Sequence, residues 1–202
     1  YSLNLMRVFS LLANDKGLKF INVGANIGST VRNAKYFGFQ NILAIEPSSL
    51  NYKALNDNCK RYGVETVKAG VGELRGEAVL NINEGSNGRN SFVRSSPTGV
   101  FENVEILPLD DIWTKECYLF ADVEGYELEV LKGAKKILKS CVSICIELSS
   151  RKMAYPEEVY ELIVSNFGFY YVNGLGVIDA EKLYSMVCVD RVDQIDLIAH
   201  KE

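Results

Sequence analysis

The sequence predicts an α/β protein, a mainly parallel sheet with helices packed on both faces. Three observations carry that expectation. An apolar run, Phe20 to Val23, enters the glycine turn Gly24-Ala25-Asn26-Ile27-Gly28, and a helix-like stretch follows from Ser29. Further continuous apolar runs, within 41–45, 118–121 and 142–146, each lead into an acid: Glu46, Asp122 and Glu147. Runs apolar on both faces are what buried parallel strands look like. Strand-like and helix-like segments alternate along much of the chain, the mark of a doubly wound sheet.

In chain order, residues 3–14 carry Leu3, Met6, Val8, Phe9, Leu11 and Leu12, the spacing of an amphipathic helix, and the segment 1–17 is expected to pack on one sheet face. Strand 20–23 and helix 29–38 follow, then the second strand, 41–45, stopped by Pro47. Ser48 suits a helix N-cap, with a helix over 50–62 closed by Gly63. Residues 64–71 read as the third strand and 77–83 as a fourth. Residues 84–99, rich in Gly, Ser, Asn and Arg, form a long loop expected to meet the substrate, with Arg89, Asn90, Ser91 and Arg94 as donors. A strand over 104–109, the strand from 118, a helix over 127–139, the strand from 142 and a helix over 156–167 complete the alternation. The end of the chain reads as short strands at 168–172, 184–189 and 196–199.

At 202 residues the chain fits one domain spanning 1–202, long enough to bury roughly 70% of its extended surface. A net charge of −4 argues against a nucleic-acid binder that relies on phosphate neutralisation. No apolar run approaches the ~20 residues of a spanning helix, so no membrane partner is expected. Cys59, Cys117, Cys141, Cys145 and Cys188 show no Cys-x-x-Cys spacing. They read as small buried hydrophobes in a reducing, cytoplasmic compartment. Nothing in the residues sets an oligomeric state.

The glycine turn narrows the ligand. A dinucleotide fingerprint places its second glycine where this chain has Asn26, and the phosphate-loop pattern is absent. S-adenosylmethionine, which has an adenosine and an amino-acid end but no phosphates, demands less of that position. Glu46, 22 positions after Gly24, is placed to accept ribose hydroxyls, a role that suits NAD and S-adenosylmethionine equally. An NAD-dependent oxidoreductase therefore stays open as an alternative, although a Tyr-x-x-x-Lys pair is absent.

Several blocks carry a resemblance. Val23-Gly24-Ala25-Asn26-Ile27-Gly28, Ile45-Glu46-Pro47 with Asn51, Leu55 and Asn58, Leu109-Asp110-Asp111, Asp122-Val123-Glu124-Gly125-Tyr126-Glu127 with Val130-Leu131-Lys132-Gly133-Ala134, and Ile146-Glu147 together resemble the FkbM family of S-adenosylmethionine-dependent methyltransferases. The resemblance implies a class I methyltransferase fold. This is a Rossmann-like three-layer sandwich with a mainly parallel seven-stranded sheet whose last strands are antiparallel. It also implies O-methylation of a hydroxyl on a sugar or other small molecule, so the expected partner is a small-molecule or glycan acceptor. Where the family usually has Asp this chain has Asn22, and where it usually has Lys, two positions before Asp122, this chain has Phe120. A non-catalytic, partner-binding module that keeps cofactor binding or only the fold is the alternative those two positions raise.

The expected cofactor cradle comprises Asn22, Gly24, Ala25, Asn26, Gly28, Glu46, Pro47, Ser48, Gly70, Val71 and Asp122. Asp122, Glu124 and Glu147 lie near the carboxyl ends of predicted strands and are the catalytic candidates, Asp122 as general base or orienting group. Asp122 and Glu124 would share a face if their strand ran through both. Glu124 and Glu127 also suit the N-terminus of the following helix. The same acids could hold Mg²⁺, although the chemistry has a use for them without a metal. Tyr155, Tyr170 and Tyr171 are candidates for the acceptor wall. His200, the sole histidine, is expected at the surface.

Overall fold

The computed structural model describes residues 3–83, 90–93, 99–149 and 153–201. Arg89 and Arg94 of the expected substrate loop lie outside the described residues. The chain runs α1 (Leu3–Leu12), β1 (Lys19–Val23), α2 (Ser29–Tyr36), β2 (Asn41–Ile45), α3 (Ser49–Cys59), β3 (Glu65–Val67), β4 (Gly70–Val71), β5 (Gly76–Asn81) and β6 (Phe101–Leu107). It continues with α4 (Leu109–Ile112), β7 (Cys117–Ala121), α5 (Glu127–Lys132), α6 (Lys135–Ser140), β8 (Cys141–Leu148), α7 (Pro156–Val164), β9 (Phe169–Val172), β10 (Gly176–Ile178), α8 (Ala180–Tyr184) and β11 (Ile195–His200).

The main sheet has the order β10-β9-β11-β8-β7-β1-β2-β3. From β3 to β8 all pairings are parallel, and β11 runs antiparallel between β8 and β9. Side chains alternate between two cores. Ile21, Val23, Leu43, Ile45, Leu119 and Ile146 pack on the side of α5, α6 and α7. Phe20, Ala44, Phe120 and Cys145 pack on the side of α1, α2 and α3, where Phe9 of α1 meets Phe20 edge-on at 6.0 Å between ring centroids. This is the mainly parallel α/β sandwich with an antiparallel end that the sequence predicts.

Five local expectations are corrected. The sheet has eight strands where seven were expected, because a turn through Gly174, at φ 87°, returns the chain as β10 along β9. The strand expected over 64–71 divides between two sheets. β3 pairs with β2, whereas β4 joins β6 and β5 in a separate three-stranded sheet. The helix expected over 127–139 breaks at Gly133-Ala134. A Cβ on Gly133 would stand 2.1 Å from the Gly72 carbonyl oxygen, and the Asp110 carboxylate accepts the N–H groups of Lys136 and Ile137, both at 2.9 Å, to start α6 afresh.

Residues 184–189, expected as a strand, close α8 and form a π-helical turn over Ser185–Val189. Leu183, Met186 and Val187 are buried at helical spacing, which overrides the β-branched content. His200 is half-buried rather than at the surface, with Nδ1 hydrogen-bonded to the Ser143 hydroxyl on the neighbouring strand. The cysteines are free thiols; Cys59, Cys117, Cys141 and Cys145 are buried and Cys188 is half-buried.

Candidate active site

At the carboxyl edge of β1, β2 and β7, a cleft of about 590 Å³ opens between the main sheet and the three-stranded sheet. Parallel strands end here together, so their following loops converge on one place.

The floor is the glycine turn. The N–H groups of Gly24 and Ala25 both donate to the Ile45 carbonyl at 3.0 Å, which ties the turn to β2. Gly24 takes φ 76°, and Asn26 takes φ 51°, a left-handed conformation that asparagine tolerates better than most residues. From the end of β2, Glu46 reaches back under the turn. Its Oε2 accepts the Asn26 N–H at 2.8 Å and its Oε1 the Ser48 N–H at 3.0 Å, with an Asn51 side-chain bond in addition. Burial outweighs these bonds and pushes the Glu46 carboxyl up to about 6. The Oδ1 of Asn26 is buried and has no hydrogen-bond partner among the described residues.

On the other side of the turn stands the end of β7. The strand stops at Ala121, and Glu124 adopts φ 53°, so Asp122 and Glu124 do not share a strand face as expected. A non-glycine residue in that conformation carries strain of about 1–3 kcal/mol. Burial holds the Asp122 carboxyl well above the usual carboxylate range, and the charges of Glu147, Glu124 and Glu127 add to it. Glu147 is raised by burial and then by Glu124 and Asp196, with a Gln194 hydrogen bond in opposition. Burial carries Glu127 to about 7. Among the described residues no three His, Cys, Asp or Glu side chains come close enough to share a metal ion.

Of the expected site residues, Gly24, Asn26, Glu46, Pro47, Gly70, Val71, Asp122 and Glu124 line the cleft. Asn22, Ala25, Gly28, Ser48 and Glu147 do not. Asn22 is fully buried beside Ala44 and Phe120, its register partners, and both polar atoms of its side chain lack hydrogen-bond partners among the described residues. Gly28 serves helix packing, since a Cβ there would stand 2.7 Å from Cys59 Sγ on α3. The Ser48 hydroxyl caps α3. Glu147 stands on β8 next to the cleft edge and acts on Asp122 through its charge.

The three tyrosines expected in an acceptor wall lie elsewhere. Tyr170 is core, with its hydroxyl on the Phe167 carbonyl, Tyr171 is half-buried in β9, and Tyr155 is 58% exposed. The wall is instead Tyr126 with Phe92, their ring centroids 4.8 Å apart, together with Leu80 and Asn90. Tyr126 directly follows the acid-glycine pair Glu124-Gly125, a signal that could have found it. Phe92 and Leu80 carry no local signal, because only the three-stranded sheet brings them to β7.

The cleft is thus rich in acceptors. A carboxylate at Glu46, an orphaned amide oxygen at Asn26 and the acids at the β7 edge receive hydroxyl, ammonium and sulfonium groups and repel phosphates. A family model described as the methyltransferase FkbM domain matches residues 22–171. The chain belongs to this family. Like other FkbM-family methyltransferases it carries the class I, S-adenosylmethionine-dependent methyltransferase fold.

Solved structures agree on that fold. A putative RNA methyltransferase from Pyrococcus horikoshii is 10% identical, with a TM-score of 0.50 over 98% of this chain and 79% of its own. A precorrin-6y C5,15-methyltransferase from Geobacter metallireducens is 15% identical, with a TM-score of 0.51 over 97% of this chain and 87% of its own. The 23S rRNA methyltransferase ErmE is 10% identical, with a TM-score of 0.53 over 98% and 67%. At these identities the likeness concerns the fold alone. No curated protein matches the chain.

Proposed function

We propose that this FkbM-family protein methylates a hydroxyl oxygen of a sugar or another small molecule, with S-adenosylmethionine as donor. The residues present fit that donor. Glu46 offers carboxylate oxygens to paired ribose hydroxyls, the Asn26 Oδ1 awaits a donor such as an ammonium, and among the described residues no Lys or Arg lines the cleft to favour a pyrophosphate. When bound, the cofactor supplies a methyl group on a sulfonium, already an activated electrophile.

The protein's work is then to align the acceptor oxygen and to take its proton. The observation that carries the reading is the position of Asp122. Its N–H donates to the Val23 carbonyl at 3.1 Å, so its carboxyl stands beside the glycine turn, and burial raises its affinity for a proton, as a proton acceptor needs. Asp122 accepts the hydroxyl proton as the oxygen–methyl bond forms and the carbon–sulfur bond breaks. Glu124, in the cleft lining, supports the acceptor, and the charges of Glu147 and Glu124 add to burial in keeping the Asp122 carboxyl basic. Tyr126 and Phe92 present apolar faces that shield the reacting groups from water.

Asn22 and Phe120, where the chain departs from its family's usual residues, adjoin each other inside the sheet and line no part of the cleft. Neither change alters a cleft-lining side chain, which supports catalysis over a purely structural module. The expected Mg²⁺ alternative finds no set of three ligands among the described residues, so the reading routes no step through a metal. No helix among the described residues is long and apolar enough to cross a membrane. Free cysteines support a reducing, cytoplasmic setting.

Calorimetric titration with S-adenosylmethionine, S-adenosylhomocysteine and NAD tests the cofactor. Transfer of labelled methyl to a panel of sugars and hydroxylated small molecules, with and without a chelator, tests the reaction. Binding of both sulfur ligands and chelator-insensitive O-methylation are expected. Failure of both sulfur ligands to bind overturns the reading.

A further inference from the structure

The peptide joining Glu124 to Gly125 is gripped from two sides. Its carbonyl oxygen accepts the Ser91 hydroxyl at 2.8 Å, and its N–H donates to Glu127 Oε1 at 2.8 Å. Ser91 is 1% exposed and Glu127 is 2% exposed, so water does not compete for either bond. The Val93 N–H donates to the same Ser91 hydroxyl oxygen at 3.1 Å, leaving its hydrogen for the Glu124 carbonyl.

The backbone of Ser91 is itself fixed. Its N–H donates to the Asn81 carbonyl at 3.1 Å, and the Asn81 N–H returns a bond at 3.0 Å. Ser91 therefore joins β5 of the three-stranded sheet to the reacting edge of the main sheet. The next residue, Phe92, lies against Tyr126, so this link sits between the two walls of the cleft.

We infer that Ser91 is a positioning residue for methyl transfer, acting through the Glu124 peptide to aim the β7 edge at the acceptor. The inference rests on the methyltransferase reading above. The physical reason lies in Glu124, which holds φ 53° against its own preference. Rotation of this peptide changes ψ of Glu124 and φ of Gly125, which stands at 103°, so holding its carbonyl and N–H fixes the path of the chain from Glu124 into Tyr126. Ser91 supplies the donor that fixes the carbonyl, and Glu127 supplies the acceptor that fixes the N–H. A role confined to stability would not require the hydroxyl to meet a strained residue at the reacting edge.

The test compares Ser91→Ala and Ser91→Thr with the wild type in the full chain. Expected for Ser91→Ala are a fall in kcat of at least tenfold, donor affinity by calorimetry within twofold, and amide exchange at Gly125 at least tenfold faster. Ser91→Thr keeps the hydroxyl and restores all three. Ser91→Cys, which keeps the volume but donates weakly, gives the same reading should the alanine variant fail to fold. Gly125 exchange and kcat within twofold of wild type overturn the inference, and so does a fall in kcat that only tracks lost donor affinity and thermal stability. If the wild type methylates no acceptor, it is the functional reading that falls. Gly125 exchange then still decides whether Ser91 holds the peptide.

Discussion

A Cβ placed on Gly24 would lie 1.9 Å from the backbone carbonyl oxygen of Asp122. The glycine that opens the turn after β1 is thus demanded by the neighbouring strand end as well as by its own φ of 76°. Gly24→Ala should push β1 and β7 apart at the reacting edge, at a cost of about 3 kcal/mol or more. Denaturant unfolding and donor calorimetry should both show the loss. A variant with wild-type stability and donor affinity would disprove the close approach.

Asp122→Asn removes the proposed proton acceptor and keeps the shape. Turnover should fall by about 10²–10⁴-fold, the usual worth of a general base, while donor affinity changes only a few-fold. Unchanged turnover would take Asp122 out of the chemistry.

Glu127 has a carboxyl raised from 4.5 to about 7, so the folded protein holds its proton more tightly than the unfolded chain does. Its contribution to stability is therefore fully present below pH ~4.5 and is lost as pH rises through about 7. A tenfold difference in proton affinity is worth about 1.4 kcal/mol, so the change over this window is of the order of 2–3 kcal/mol. Glu127→Gln, neutral at every pH, should remove that slope. Stability measured by urea unfolding between pH 4.5 and 8 should fall more steeply for the wild type than for the variant, and parallel curves would refute the assignment.

Asn22 buries an amide with no partner at either atom. Replacing an unsatisfied polar group by an apolar one of similar size relieves a desolvation cost of about 1–3 kcal/mol. Asn22→Val should raise the melting temperature by a few degrees, about 2–4 °C per kcal/mol for a chain of this size. Donor affinity should stay the same, because Asn22 lies outside the cleft. A large loss of donor binding would return Asn22 to the cofactor site.

Much of the site could be read along the chain where a strand ends on a marked residue. Gly24, Asn26, Glu46 and Asp122 were legible because parallel strands deliver their ends to a single edge, and each carries a glycine, an amide or an acid at that end. Asn22 and Gly28 sit in the same motif yet serve the interior. Strand alternation turns Asn22 toward the side of the sheet that carries Phe20 and Phe120, and the helix spacing turns Gly28 toward α3. The 184–189 segment shows the reverse, since β-branched residues there follow a helical burial pattern that only the surrounding core reveals.

The sequence by itself determined the α/β class, the parallel order of the central strands, the glycine turn and its acid partner on the next strand. These follow from local rules: apolar runs, glycine conformation and helix caps act over a few residues. Only the tertiary structure decided that Phe92, Leu80 and Tyr126 wall the cleft, that Ser91 grips the Glu124 peptide, and that Gly24 yields to the Asp122 carbonyl. Those pairs are tens of residues apart in the chain. The contacts of Phe92, Leu80 and Ser91 exist because the three-stranded sheet lies against the main one, and that of Gly24 because β1 and β7 are paired neighbours, relations that no local pattern encodes.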